Sequence, residues 1–129
     1  MVTAKSRKPQ RRINNILLIE DEDDTRQVVQ SLLLDEGYCV RTAMDRDEAI
    51  QHLNCALFQV ILMDLCMPGR AASDFVQSVR KTSPASEIVL VTAAANAPIA
   101  ASALGLDYCI GKPLMVDDLL GLLERLETT

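Results

Sequence analysis

The stretch from Phe58 to Gly69 constrains the fold more than any other, because Gln59-Val60-Ile61-Leu62-Met63 runs into Asp64 and then Leu65-Cys66-Met67-Pro68-Gly69. A short apolar run closed by a Pro-Gly turn signal is the pattern of a strand covered on both faces, which belongs to a parallel sheet between helices. Asp64 then stands at the strand's carboxyl end, where open α/β sheets place their ligand crevice. A carboxylate beside so apolar a run is costly to desolvate without a cation or hydrogen bonds. The competing reading is a carboxylate that merely opens the next loop.

The same pattern recurs along the chain. Ile16-Leu17-Leu18-Ile19 stops in five acids, Glu20-Asp21-Glu22-Asp23-Asp24. Acids near a helix start complement its positive end, which accounts for Asp23 and Asp24 as capping residues, whereas Glu20 and Asp21 come too early for that role. Val28, Val29, Leu32 and Leu33 follow at helical spacing as far as Gly37. Tyr38–Ala43 alternates into a strand, Asp45 and Glu48 form a capping-box pattern ahead of Ala49, Ile50 and Leu53, and Asn54 stops that helix. Phe58–Met63 is the third strand, and Asp74–Lys81 is a helix with Phe75, Val76 and Val79 inward.

After Ser83-Pro84, Ile88–Val91 is a fourth apolar strand ending at Thr92. Ala97–Leu104 is helix-compatible with Gly105 as its cap, and Asp107–Gly111 is a fifth strand closed by Lys112-Pro113. Leu114–Leu126 is the last helix, with Met115, Leu119, Leu122, Leu123 and Leu126 as its buried stripe. Five βα units predict an α/β fold: a five-stranded parallel sheet, doubly wound in the flavodoxin-like order 2-1-3-4-5, with helices on both faces. Five strands are too few for a closed eightfold barrel.

The length of 129 residues suits one domain. The net charge of −5 hides a split: the first twelve residues hold five basic residues and no acid, so residues 13–129 carry −10. Residues 1–12 are expected to be a disordered basic tail and 13–129 the folded body. The acidic body argues against nucleic-acid binding by the domain itself. Cys39, Cys55, Cys66 and Cys109 are spread singly, which suits reduced thiols in a cytoplasmic protein. No apolar run approaches the roughly 18 residues of a membrane span.

Polar residues gather at the strand ends: Glu20 and Asp21 after the first, Asp64 after the third, Thr92 after the fourth and Lys112 after the fifth. In the order 2-1-3-4-5 the first and third strands are neighbours at the switch point, so these side chains are expected to converge. Three carboxylates together repel, and Mg²⁺ relieves this with one or two protein carboxylates while leaving positions for phosphate oxygens. With the Thr92 hydroxyl and the Lys112 ammonium opposite, the set describes phosphoryl transfer onto an aspartate.

Four motifs, Ile16-Leu17-Leu18-Ile19-Glu20-Asp21-Glu22, Met63-Asp64-Leu65-Cys66-Met67-Pro68-Gly69, Val91-Thr92-Ala93 and Gly111-Lys112-Pro113, stand in order at a spacing that resembles the CheY-like receiver domain of two-component response regulators. The likeness covers about residues 13–127. It implies a phosphoacceptor at Asp64, charged by a sensor histidine kinase or a phosphotransfer protein. It also implies Mg²⁺ held by Glu20, Asp21, Asp64 and the backbone carbonyl of Cys66, with Lys112 neutralising the phosphoryl oxygens and Thr92 swinging toward them. Such a domain switches a downstream target or effector domain, with only slow self-catalysed phosphorylation and dephosphorylation.

Three departures from the family pattern bear on output. Cys109 stands where the family usually has an aromatic, with Tyr108 one place earlier; Ala71 and Ala72 replace a frequent Asp-Gly in the turn entering the third helix; and the segment from Thr92 to Lys112 is short, which predicts a stunted fourth helix. Two other functions compete. A haloacid-dehalogenase-like phosphatase also uses an aspartate and Mg²⁺ at a strand end, but needs an acid two residues on, where this chain has Cys66. A degenerate receiver that binds partners unphosphorylated is opposed by the intact Glu20, Asp21, Asp64, Thr92 and Lys112. His52 reads as a solvated helix residue, and Leu114, Val116 and Leu120 exceed one buried stripe and point to a partner or homodimer surface.

Overall fold

The computed structural model of the protein describes residues 12–64 and 69–128. Residues 1–11 of the expected tail, and Cys66, lie outside them. Strands β1 (Asn15–Glu20), β2 (Cys39–Ala43), β3 (Val60–Asp64), β4 (Glu87–Thr92) and β5 (Tyr108–Gly111) alternate with helices α1 (Asp23–Asp35), α2 (Arg46–Cys55), α3 (Gly69–Thr82), α4 (Ala97–Ala103) and α5 (Val116–Glu127). The sheet is five-stranded in the order β2-β1-β3-β4-β5, and every pairing is parallel. The predicted architecture stands.

Each face of the sheet has its own core because side chains alternate along a strand. Leu17, Ile19, Ile61, Met63, Ile88 and Leu90 pack with Ala49 and Leu53 of α2, Phe75, Val76 and Val79 of α3 and Ala101 of α4. Ile16, Leu18, Val60, Leu62, Val89 and Ile110 pack on the other side with Val29 and Leu33 of α1 and four leucines of α5. Both layers are removed from water, which stabilises the fold by about 1.5–3 kcal/mol for each large side chain fully buried. The strand at the centre, β3, is buried along its whole length.

The local devices follow the sequence with some corrections. Asp45 accepts from the Glu48 N–H at 2.8 Å, but Glu48 reaches back to the Met44 N–H at 2.7 Å rather than to that of Asp45. Asn54 does not stop α2, which runs on to Cys55 and is capped by Ala56. Asp23 and Asp24 lie in the first turn of α1 while Glu22 is the N-cap, its side chain accepting from the Thr25 hydroxyl and not from a helix N–H, so the two aspartates act on the helix's positive end and do not cap it. Gly37 and Gly105 end α1 and α4 with φ of 95° and 73°, a conformation open to glycine. At seven residues α4 is short, as expected.

Helix α3 begins at Gly69, five residues before the expected start. Ala72 continues the stripe of Phe75, Val76 and Val79 one turn earlier and is buried, so Ala71 and Ala72 are helical and need no flexible turn. Met115, expected in the buried stripe, is 55% exposed, and Val28, one of the residues at helical spacing in α1, is 64% exposed. Val116 is exposed as well, whereas Leu114 and Leu120 are half-buried. His52 is not a free surface residue, since its Nε2 lies 3.0 Å from the Thr42 carbonyl and ties α2 to β2.

Candidate functional site

The register of β1 against β3 sets Glu20 directly opposite Asp64 at the carboxyl end of the sheet. Both carboxylates are buried, at 2% and 5% exposure. Lys112, just past β5, places Nζ 2.7 Å from Asp64 Oδ1, with its own side chain 40% exposed. That hydrogen bond raises the Lys112 pKa above its ordinary 10.5 and keeps the ammonium charged. Thr92 closes β4, and its carbonyl accepts from the Lys112 N–H at 2.8 Å. The Thr92 hydroxyl accepts from the Ala94 N–H at 3.1 Å, so its oxygen is engaged with its own loop.

Glu20 is the incompletely satisfied member of the set. Its Oε2 accepts from the Glu22 N–H at 2.9 Å, while its Oε1 is buried without a hydrogen-bond partner. Burial, and after it the neighbouring Asp64 carboxylate, pushes the Glu20 pKa from 4.5 up to about 8. Two carboxylates facing each other in a buried site repel unless one carries a proton, so the pair is relieved by a proton or by a cation.

An orphaned buried oxygen beside a second carboxylate, in an all-oxygen donor set, fits a hard divalent cation. The expected convergence is looser on one side. Asp21 is exposed, and among the described residues no three His, Cys, Asp or Glu side chains gather as a metal cage. One or two protein carboxylates suffice for Mg²⁺ because it retains several waters. Glu20 and Asp64 are the gathered pair, with Asp21 at the rim.

A cleft of about 430 Å³ reaches Asp64, between Thr25, Val28 and Val29 of α1 and the Lys112–Leu114 segment. One contributor went unread in the sequence. Arg26 donates from Nη1 to the Glu20 carbonyl at 3.0 Å and from Nη2 to Asp23 Oδ1 at 2.6 Å. The spacing of Asp23 and Arg26, three residues apart on one helix, was the available signal.

Comparison with known proteins decides the family. Residues 16–124 match the model of the response regulator receiver domain. The chain belongs to this family. The receiver is 31% identical over 107 residues to the transcriptional regulatory protein DltR of Streptococcus agalactiae serotype III (strain NEM316), covering 81% of this chain and 48% of that protein. It thus spans about half the length of that relative. Among solved structures it resembles the chemotaxis response regulator CheY4 of Vibrio cholerae, at 31% identity and a TM-score of 0.77, covering 88% of this chain and 98% of that one. It also resembles the response regulator TrrA of Thermotoga maritima in complex with Mg²⁺-BeF, at 25% identity and a TM-score of 0.73, covering 88% and 99%.

Receivers are signalling domains of two-component systems rather than conventional enzymes. The face of the unusual β5 pair is also clear. Cys109 packs on the α4 side and Tyr108 on the α1 and α5 side, so Tyr108 is not a displaced version of the family's aromatic. No helix of the described residues is long and apolar enough to cross a membrane.

Proposed function

We propose that this receiver takes a phosphoryl group onto Asp64 from a phosphohistidine of a sensor kinase or phosphotransfer protein, in the cytoplasm, and so changes its binding to a downstream target. The observation that carries this reading is the buried Asp64 carboxylate held between the Lys112 ammonium at 2.7 Å and the Glu20 carboxylate opposite it in the sheet. In the transfer an Asp64 oxygen attacks phosphorus, a P–O bond forms and the donor's P–N bond breaks. The leaving imidazole keeps the electron pair and takes up a proton.

Lys112 serves twice in this scheme. Its ammonium orients Asp64 beforehand and then faces the charge that spreads onto the phosphoryl oxygens, in a site partly closed to water. Glu20, Asp64, the rim carboxylate of Asp21 and the carbonyl of Cys66 would hold Mg²⁺, which when bound neutralises the carboxylates and the incoming phosphate. That TrrA was solved with Mg²⁺-BeF supports the choice of ion. The cleft beside α1 gives the donor its approach.

Thr92 supplies the switch. Its hydroxyl accepts from the Ala94 N–H and keeps its own proton to donate to a phosphoryl oxygen, so a pull on Thr92 would pass to the loop after β4. The relatives that are transcriptional regulators support an effector as the recipient of that change.

The test is acetyl phosphate with Mg²⁺, read by intact mass and by sensitivity to hydroxylamine. One added phosphoryl group that Asp64→Asn abolishes is expected. An unmodified wild type, or equal modification of Asp64→Asn, overturns the assignment.

A further inference from the structure

The turn that carries Glu20 and Asp21 is held from behind. Arg26 lies one turn into α1, and its side chain, 16% exposed, folds back over residues 20–23. Nη1 donates to the Glu20 carbonyl at 3.0 Å, Nη2 donates to Asp23 Oδ1 at 2.6 Å, and the Arg26 backbone N–H donates to the Glu22 carbonyl at 2.9 Å. The carbonyl that Nη1 holds belongs to the peptide unit joining Glu20 to Asp21. Holding that plane, together with the Glu22 carbonyl bond further along, restricts how the turn bearing both carboxylates can move.

The charge is arranged to match. A bare guanidinium here would repel a cation bound by Glu20 and Asp21. Asp23, 70% exposed on the solvent side, pairs with it and leaves the clamp close to neutral. The fork geometry matters as much, because two donors in a rigid plane serve the carbonyl and the carboxylate together, whereas a lysine offers one compact charge.

We infer that Arg26 is a positioning residue for divalent-cation binding: it touches neither the ion nor the reacting atoms, and sets the orientation of the acidic turn that does. The inference rests on the cation reading given above, and the experiment separates the two. Mg²⁺ alone is titrated calorimetrically into the metal-free full chain, as wild type, Arg26→Lys and Arg26→Ala, with circular dichroism confirming that each is folded at the titration temperature. Arg26→Lys keeps the charge and removes the fork, and its Kd should rise about tenfold, the lower end of what loss of an outer-shell partner costs. Arg26→Ala should weaken binding at least as much.

Electrostatics alone requires the opposite sign for Arg26→Ala, since deleting a nearby positive charge tightens cation binding. A wild-type Kd in Arg26→Lys, or a tightened one in Arg26→Ala, overturns the inference and leaves the cation reading intact. A wild type that binds no Mg²⁺ overturns both. If Arg26→Ala does not fold, the charge-conserving Arg26→Lys decides alone.

Discussion

Lys112 Nζ and Asp64 Oδ1 meet at 2.7 Å although their strands, β5 and β3, are not neighbours; β4 runs between them. The lysine side chain therefore reaches across the end of β4, where Thr92 sits, and joins three strand ends into one site. Removing it with Lys112→Met leaves the aspartate without its cation. Uptake of phosphoryl groups from acetyl phosphate should slow by about 10²-fold, the cost typical of losing one electrostatic stabiliser of developing charge. Lys112→Arg should recover only part of the rate, since a planar fork replaces a compact charge. Initial rates by phosphoprotein mass spectrometry check both.

Stability in the absence of metal should fall as pH rises. The Glu20 pKa is raised from 4.5 to about 8 in the fold, so the folded state binds more protons than the unfolded chain between those values. The contribution of Glu20 is present in full below the unfolded value and is lost as pH rises through the folded one. Urea denaturation in EDTA at pH 5, 6.5 and 8 should show this decline, and Glu20→Gln should flatten it. A wild-type curve that rises over this window contradicts the buried carboxylate pair.

A cation that binds only the folded chain stabilises it by mass action. At Mg²⁺ about 100 times its Kd the gain is about 2.7 kcal/mol, which should raise Tm by roughly 5–15 °C. Differential scanning calorimetry with and without Mg²⁺ measures it, and EDTA should reverse it. Glu20→Gln and Asp64→Asn should show little of this shift.

Phe75, 2% exposed, fills the core between α3 and the sheet. Phe75→Ala should cost about 3–5 kcal/mol, through lost transfer energy and the cavity left behind. Equilibrium urea unfolding reads the change as a lower midpoint with the slope preserved.

The strands were legible because β1, β3 and β4 are apolar runs with no alternation, a pattern that only two covered faces explain. The acids at their ends were legible for the same reason, as the apolar run stopped where the sheet did. Other features depended on contacts between distant residues. Nothing in the sequence tells that His52 turns to the Thr42 carbonyl, or that Val28 faces outward beside an inward Val29. The early start of α3 was readable after all, since Ala72 falls three residues before Phe75, but small side chains give little hydrophobic contrast. The orphaned oxygen of Glu20 was out of reach, for it depends on where every neighbouring donor points.

The alternation along β5 carries a constraint on how this receiver could evolve. No rotamer takes Tyr108 through a sheet to the α4 side; only a one-residue slip of β5 against β4 would do so, and a slip reverses every side chain of the strand. The Thr92 and Gly111 pairing would go with it, and Lys112 would lose its line to Asp64. Bulk at that place in the α4-side core can thus be gained only by replacing Cys109 itself, and the proposed switch would work there beside a thiol.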